Sequence, residues 1–466
     1  MGGRRAGWRV ALYYLVCWSV VALLVPHRVV ALLAVAVLAI VGTAPIMTFV
    51  ARGGWRAYPT AAFRLFVVRP VLYIQILLPI IAGAGLAGLA LGAPWGAATT
   101  VGRIVGGAAL GVMAVLLFAG YVGSGVLVVR HLDATVPGLP EVWAGTRIAQ
   151  ISDLHIGPHT SRRFLARVGR AITRLAPDLI AITGDLVDDQ AGDVPHLVRA
   201  VEGMHAPLGV YVIPGNHDVY AGWAEVDHQL RAALPGATVL VNDARILERQ
   251  GARLAIIGTG DPAGRRGPDG VAPDVEAALR SVPARTTTIA LAHNPVLWPA
   301  LAARHVALTL SGHTHWGQLA VPRWGWSLAS PFLARAMGAH TDGNALLYIN
   351  PGTGYWGLPF RLGAHPEITL VTLHSGQPAA IDVGRATSER ALSRGWAAED
   401  REARSRSATD TALVSEPLRR RRHKAVEATM SAPRPAIRTR TARTASNSRA
   451  REAAARSSKP GRDTSG

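Results

Sequence analysis

The first 130 residues contain ten Arg and no Asp, Glu or Lys, and that charge-poor stretch limits what this end of the chain can become. Four apolar segments lie in it, over roughly 8–25, 29–50, 71–91 and 104–129, separated by Arg28, by the loop from Arg52 to Arg69 and by Arg103. Each is near the about 20 residues that a helix needs to cross a hydrocarbon core. A helix buried in a soluble bundle keeps a polar stripe at 3.6-residue spacing. Val29 to Leu38 has none. The expectation is therefore an all-α bundle of four transmembrane helices over residues 1–130, with the short first segment also open to a signal-anchor reading. Arg4, Arg5 and Arg9 precede the first span, and Arg52, Arg56, Arg64 and Arg69 lie between the second and third. The positive-inside rule then puts these stretches, and the chain after the fourth span, on the cytoplasmic side of a multi-pass protein of the cell membrane. A twin-arginine export signal fits Gly3-Arg4-Arg5-Ala6-Gly7 poorly.

The rest of the chain divides by composition. Residues 386–466 hold nineteen basic and nine acidic side chains, which leaves residues 131–385 close to neutral, with twenty basic and twenty-one acidic. The formal charge of +19 thus belongs to the ends. It does not point to a nucleic-acid-binding core, and no specific nucleic-acid partner is expected. The tail, with Arg419 to Arg422 and few aromatic residues, reads as disordered, because it has too little apolar surface to offset the entropy of ordering. Residues 131–145, with Pro137, Gly138 and Pro140, read as a linker. From 146 to 385 short apolar runs (147–153, 178–183, 209–214, 253–258, 287–292, 306–311, 345–350 and 368–373) alternate with amphipathic stretches (163–175, 195–205 and 223–234), a pattern that gives an α/β domain of layered sheets. Cys17 is the single cysteine, so disulfides and cysteine-based metal sites are excluded.

Five short blocks follow predicted strands: Asp153-Leu154-His155, Gly184-Asp185, Gly215-Asn216-His217-Asp218, His293 within Ala292-His293-Asn294-Pro295, and Gly312-His313-Thr314-His315. Open α/β sheets bind ligands at the carboxyl ends of their strands. On an extended strand, residues two apart point to one side, so Asp153 with His155 and His313 with His315 can face one pocket. The mixture of carboxylate or amide oxygens and imidazoles suits Mn, Fe, Zn or Co rather than Ca or Mg. It also exceeds what one tetrahedral ion uses. Two divalent transition-metal ions are expected.

In order and spacing these blocks resemble the calcineurin-like metallophosphoesterases, over about residues 146–375. Gly317-Gln318, Asn350-Pro351-Gly352-Thr353-Gly354, Gly357-Leu358-Pro359-Phe360-Arg361 and Pro366-Glu367-Ile368 resemble the membrane-associated bacterial branch. The resemblance implies a four-layer α/β/β/α sandwich. It implies one metal on Asp153, His155 and His315 and another on Asn216, His293 and His313, with Asp185 bridging and His217 beside the leaving group. Relatives often have Gly where Trp316 stands, a departure expected at the pocket rim. Two cations about 4 Å apart clamp a phosphoryl group and acidify a water between them, whose hydroxide attacks phosphorus in line. His217 then supplies the leaving oxygen with a proton. Asp218 either orients His217 or caps a turn. Asp188 and Asp189 read as solvated loop acids rather than as groups that orient ligands. His159, His196, His205, His228 and His305 lie outside the blocks and read as structural, with His159 the nearest to the site.

The resulting expectation is a membrane-anchored, dinuclear, metal-dependent phosphoesterase acting on phosphate mono- or diesters, with the bilayer as partner and a lipid-linked substrate as one option. Soluble nucleotides or phosphodiesters are the alternative substrates. A catalytically inactive membrane scaffold or sensor is the alternative class, and such a protein is expected to lack ligands that this chain retains. A transporter reading is weak, since the spans carry no acidic residue. The apolar run from Trp324 to Met337 reads either as a flap resting on lipid or as a core-packing insertion.

Overall fold

The structure is a computed structural model that describes residues 2–25, 29–51, 66, 69–157, 160–201, 204–266, 269 and 271–395. Arg28, most of the Arg52–Arg69 loop, His159 and the basic tail from residue 396 onward lie outside the described residues. The charge-poor region is helical: α1 (Gly2–Leu24), α2 (Val29–Ala51), α3 (Arg69–Gly92) and α4 (Ala98–Gly123). Among the described residues, two helices are long and apolar enough to cross a membrane, Arg69–Trp95 and Ala98–Gly123. Of the four spans expected, the described residues support these two. Of the first pair, the described apolar stretches are Leu12–Leu24 and Val29–Ala44, within helices of 23 residues each. α3 and α4 pack as an antiparallel hairpin on small residues. A Cβ on Gly88 would lie 2.8 Å from Gly102 Cα, so glycine is what lets the two backbones meet. Most of the remaining apolar surface of this hairpin, including Ile104, Val112, Val115 and Phe118, is uncovered by protein.

The chain passes from α4 directly into β1 (Val128–Val136), where a linker over 131–145 was expected. Arg130, His131 and Asp133 break up the apolar pattern of this strand, yet Leu132, Ala134 and Val136 alternate inward. Pro137 and Gly138 end the strand rather than begin a flexible segment. There follow β2 (Arg147–Ile151), α5 (Arg162–Leu175), β3 (Leu179–Ile182), α6 (Val194–Val201), β4 (Val210–Val212), α7 (Asn216–Ala221), α8 (Trp223–Ala233), β5 (Ala237–Val239), β6 (Asp243–Arg249), β7 (Ala252–Gly258), α9 (Val275–Leu279), β8 (Thr287–Leu291), α10 (Trp298–Ala302) and β9 (Leu308–Ser311). The last part holds β10 (Ala320–Val321), β11 (Trp326–Ser327), β12 (Gly338–Asp342), β13 (Ala345–Ile349), β14 (Glu367–Ser375), β15 (Ala380–Val383) and β16 (Thr387–Ser388).

Eight strands form one sheet in the order β15-β1-β14-β2-β3-β4-β5, with β16 also paired to β1. Six form a second, in the order β12-β13-β9-β8-β7-β6. Their facing sides close one core, in which Leu132, Ile148, Leu179 and Tyr211 meet Ile256, Ile289, Leu308 and Tyr348. α5 shows how the outer layer forms. Ser161 Oγ accepts from Phe164 N at 3.3 Å to start the helix, and Leu165, Val168, Ala171, Ile172 and Leu175 make one buried stripe. With α6 and α8 it covers Ile151, Ile180, Ile182 and Val212 of the first sheet. α9 and α10 cover Ile257 and Ala290 of the second. The order of layers is α/β/β/α, the sandwich that the resemblance implied. β2, β3 and β4 are buried on both faces, which explains their continuous apolar runs. Part of the expected tail also belongs to the fold. Thr387 and Ser388 pair with β1, and the buried Glu389 carboxylate bonds Arg167 at 3.0 Å.

Candidate metal centre

β2, β3 and β4 run parallel, as do β7, β8 and β9, so the carboxyl ends of both sheets open at one edge. Gln150 ties the two sheets together there, donating to Thr183 Oγ1 at 3.0 Å and to Ser311 O at 2.9 Å. All five blocks arrive at this edge. The reason differs from strand alternation, because β2 ends at Ile151 and β9 at Ser311, before the paired residues. Asp153, His155, Asp185, His313 and His315 instead have positive φ, between 44° and 72°. Non-glycine residues rarely adopt this region, and strain of this kind, about 1–3 kcal/mol each, persists where surrounding bonds enforce it. The enforcing bonds are present: Asp153 N donates to Gly184 O at 3.0 Å, His155 N to Asp185 O at 3.0 Å, and His313 N to Asp153 Oδ1 at 3.0 Å.

The eight predicted residues form two adjoining groups. In the first, His155 Nε2 lies 3.0 Å from His315 Nε2, and His315 Nε2 is 3.4 Å from Asp153 Oδ1. In the second, Asn216 Oδ1 lies 2.8 Å from His313 Nδ1 and 3.2 Å from His293 Nε2. Asp185 stands between them, its Oδ2 3.5 Å from His155 Nε2 and 3.3 Å from His293 Nε2. Its Oδ1 accepts from the backbone N–H of His217 at 2.8 Å. The His217 ring packs edge-on against His155, with centroids 4.6 Å apart. Its Nδ1 donates to Asp188 O at 2.6 Å.

Several neighbours were not legible beforehand. Asp188 is buried rather than solvated, 3.4 Å from His155 Nδ1, while Asp189 approaches His217 Nδ1 at 3.8 Å. Both belong to the site, a correction to the reading of loop acids. The carboxylate of Asp218 accepts from Gly215 N at 2.9 Å, Leu186 N at 2.9 Å and Val187 N at 3.1 Å. It therefore braces the Asp185 loop rather than the His217 ring. Trp316 is no rim residue: it is buried, donates to Ile349 O at 2.9 Å and has φ +49°, a conformation that glycine adopts freely. Arg361, quoted above as part of a block without a role, is fully buried and donates to His315 Nδ1 at 2.7 Å. Its other partners are the carbonyls of His315, Pro351 and Gly354.

The chemistry of this set fits cations. It is rich in buried acceptors, and the bonds at the far ring nitrogens decide what each imidazole offers. His293 Nδ1 faces Thr183 O at 2.8 Å and so carries a proton there, while Nε2, 3.3 Å from Asp185 Oδ2, carries the second proton that a cation would replace. Arg361 is always a donor, so neutral His315 carries its proton on Nε2, toward His155. A cation taken up by that pair replaces this proton. Burial alone would raise the Asp185 carboxyl, but the His293, His155 and His217 imidazoles override it and hold the carboxyl well below the usual range. Burial and the neighbouring His293 push His313 down to about 4. Gly312 marks how tightly the site is built, since a Cβ there would overlap Ser152 Oγ and Asp153 Oδ2. Gly312→Ala is expected to cost about 1–3 kcal/mol of stability, read by thermal unfolding, and to lower metal affinity by displacing the Asp153 carboxylate.

Comparison with known proteins agrees with this geometry. Residues 146–317 match the calcineurin-like phosphoesterase family. A Bacillus subtilis protein named as the uncharacterized metallophosphoesterase YkuE is 31% identical over 241 residues, which cover 51% of this chain and 82% of that one. The chain belongs to the calcineurin-like phosphoesterase family. Among other calcineurin-like phosphoesterases, a Danio rerio "transmembrane protein with metallophosphoesterase domain" is 35% identical over 256 residues. That match covers 53% of this chain and 57% of the fish protein, so the chain spans little more than half of that relative's length. A crystal structure of TT1561 from Thermus thermophilus aligns with 44% of this chain and 88% of its own, at 14% identity and a TM-score of 0.32.

Proposed function

We propose that this protein is a membrane-anchored, dinuclear, metal-dependent phosphoesterase. The observation that carries the reading is the convergence of Asp153, His155, Asp185, Asn216, His293, His313 and His315 on one edge, with His217 beside them. Asp153, His155 and His315 would hold one divalent transition-metal ion and Asn216, His293 and His313 the other, with Asp185 between them. Two such ions offset the charge of a phosphoryl group and make a bound water nucleophilic at neutral pH. The protein residues do the rest. Asp185 fixes the backbone of His217, and the Asp188 carbonyl accepts the Nδ1–H of its ring, so that the imidazolium form carries its second proton on Nε2 and gives it to the departing ester oxygen, leaving a neutral ring. The exposed Tyr220 and Trp356 rings, 5.6 Å and 6.1 Å from the His217 ring, border the leaving-group side.

Anchoring is supported by the two uncovered apolar helices. Arg69 at the start of α3 donates to Tyr355 Oη at 2.7 Å, and Gly120 O near the end of α4 accepts from Arg361 N at 2.8 Å. Both helix ends therefore adjoin the loop that carries Trp356 beside His217. This supports a substrate presented from the membrane, with a lipid-linked phosphate ester as the preferred class. It also sets Arg69 on the catalytic side, and with Arg52, Arg56 and Arg64 preceding it in the sequence the positive-inside rule supports a cytoplasmic active site.

Two measurements on the full chain in detergent test the reading. Removing metal by chelation is expected to lower the melting temperature, and restoring it at 100 times its Kd to return about 2.7 kcal/mol. His217→Ala is expected to reduce hydrolysis of a 4-nitrophenyl phosphodiester by about 10²–10⁴-fold without loss of bound metal. Unchanged turnover in that variant sinks the assignment of His217.

A further inference from the structure

The hairpin of β10 and β11 and the turn after it expose an unusual set of side chains. Trp324 and Phe332 are each 82% exposed, and Trp326, Leu328 and Leu333 are exposed beside them. The segment is not loose. β10 pairs with β11, Leu328 N donates to Leu319 O at 2.8 Å, and Ser327 N donates to Ser330 Oγ at 2.9 Å. These apolar groups are held outward by a folded scaffold, and the core-packing alternative for this run does not hold for them. Single exposed apolar residues need no explanation, but a cluster of large ones on an ordered hairpin marks an interaction surface.

The position of the hairpin identifies what covers it. Its base is bonded to the strip next to Arg361: Ala320 N donates to Leu362 O and Leu362 N to Gln318 O, both at 2.9 Å. One residue earlier, Arg361 N donates to Gly120 O near the end of α4, and a Cβ on Gly123 would overlap Arg361 O. On the other side, Gln318 exchanges hydrogen bonds with the Trp356 backbone at 3.1 Å, next to Tyr355, the partner of Arg69. The hairpin thus sits at the level where both helices would leave the bilayer. Trp at this level, with the exposed Arg323 adjoining, is the composition that favours the membrane–water interface.

We propose that the segment from Pro322 to Leu333 docks on the lipid bilayer, with Trp324 and Phe332 entering the boundary between headgroups and acyl chains. The proposal rests on the reading of α3 and α4 as a membrane anchor. An interfacial element of this kind reaches about 5–10 Å into that boundary. Because Gln318 links the hairpin to Trp356, and Trp356 lies against His217, docking turns the mouth of the metal centre toward the membrane surface. Lipid headgroups then reach it without leaving the bilayer.

The test uses the full chain in Cys17→Ser background, reconstituted in nanodiscs of phosphatidylcholine and phosphatidylglycerol. Single cysteines are introduced as Trp324→Cys, Phe332→Cys, Val115→Cys midway along α4, and Glu248→Cys on β6, near the end of the second sheet opposite the metal centre. Each carries an environment-sensitive fluorophore, and lipids bearing a nitroxide near the headgroup or deep in the acyl chain serve as quenchers. The proposal expects shallow quenchers to cause loss of emission at 324 and 332, deep quenchers to do so at 115, and neither at 248. Loss at 115 with none at 324 and 332 overturns the proposal and leaves the anchor standing. No loss at 115 overturns the anchor, and the docking proposal with it.

Discussion

Asp185→Asn abolishes turnover to within about 10⁻³ of the parent and lowers bound transition metal, while the protein still unfolds cooperatively. The size follows from what this carboxylate touches. It is buried and lies within 3.5 Å of both His155 and His293, one member of each group. Asparagine keeps the shape and an oxygen for the His217 N–H, so the fold has little reason to fail. It removes the charge that two cations would share. Losing several kcal/mol of transition-state stabilisation at such a site, at about 1.4 kcal/mol per tenfold, gives a rate loss on the order of 10³ or more. Metal content by mass spectrometry and hydrolysis of a 4-nitrophenyl phosphodiester read both effects. A variant that keeps full metal and more than a tenth of the activity would remove Asp185 from the bridging position.

Arg361→Met is expected to cost about 3–5 kcal/mol of stability and about 10–100-fold in metal affinity. Burial pulls the Arg361 guanidinium down to about 9, against the attraction of Asp153, so the charge is held in this interior at a cost. What offsets that cost is bonding: the carbonyls of His315, Pro351 and Gly354 and the Nδ1 of His315 all accept from it. Methionine fills a similar length but leaves these buried acceptors unpaired, each worth roughly 1–3 kcal/mol, though not additively. The bond from the Arg361 backbone N–H to Gly120 O is kept by methionine, so the effects read on the side chain alone. Thermal unfolding in detergent and calorimetric titration with Mn²⁺ measure the two effects. Equal or greater stability in the variant would mean that desolvation of the guanidinium outweighs its bonds.

The composition of the site was readable because metal-binding side chains are rare in combination and occur here in five blocks, each after an apolar run. Its mechanism of convergence was not. Left-handed backbone at Asp153, His155, Asp185, His313 and His315 depends on bonds between loops far apart in sequence, which no local pattern encodes. Asp188 looked like a loop acid because nothing in its neighbours reveals that His155 closes over it. β1 was missed for a related reason. A strand that pairs with β14, more than 230 residues away, was masked by Arg130, His131 and Asp133, and the prolines after it suggested a linker. Arg361 stood within a quoted block, yet its role appears only when Pro351, Gly354 and His315 fold around it. The helices were plain from hydropathy, and among the described residues two of them are long and apolar enough to span.

The most direct test of the dinuclear phosphoesterase reading is metal stoichiometry measured with activity on one preparation of the full chain. The protein is purified in detergent, stripped with chelator, titrated with Mn²⁺ and assayed on a phosphodiester at each step. The account predicts two tightly bound equivalents per chain, with hydrolysis rising as the second is filled. A chain that binds no transition metal, or that hydrolyses the ester equally well after stripping, would contradict it.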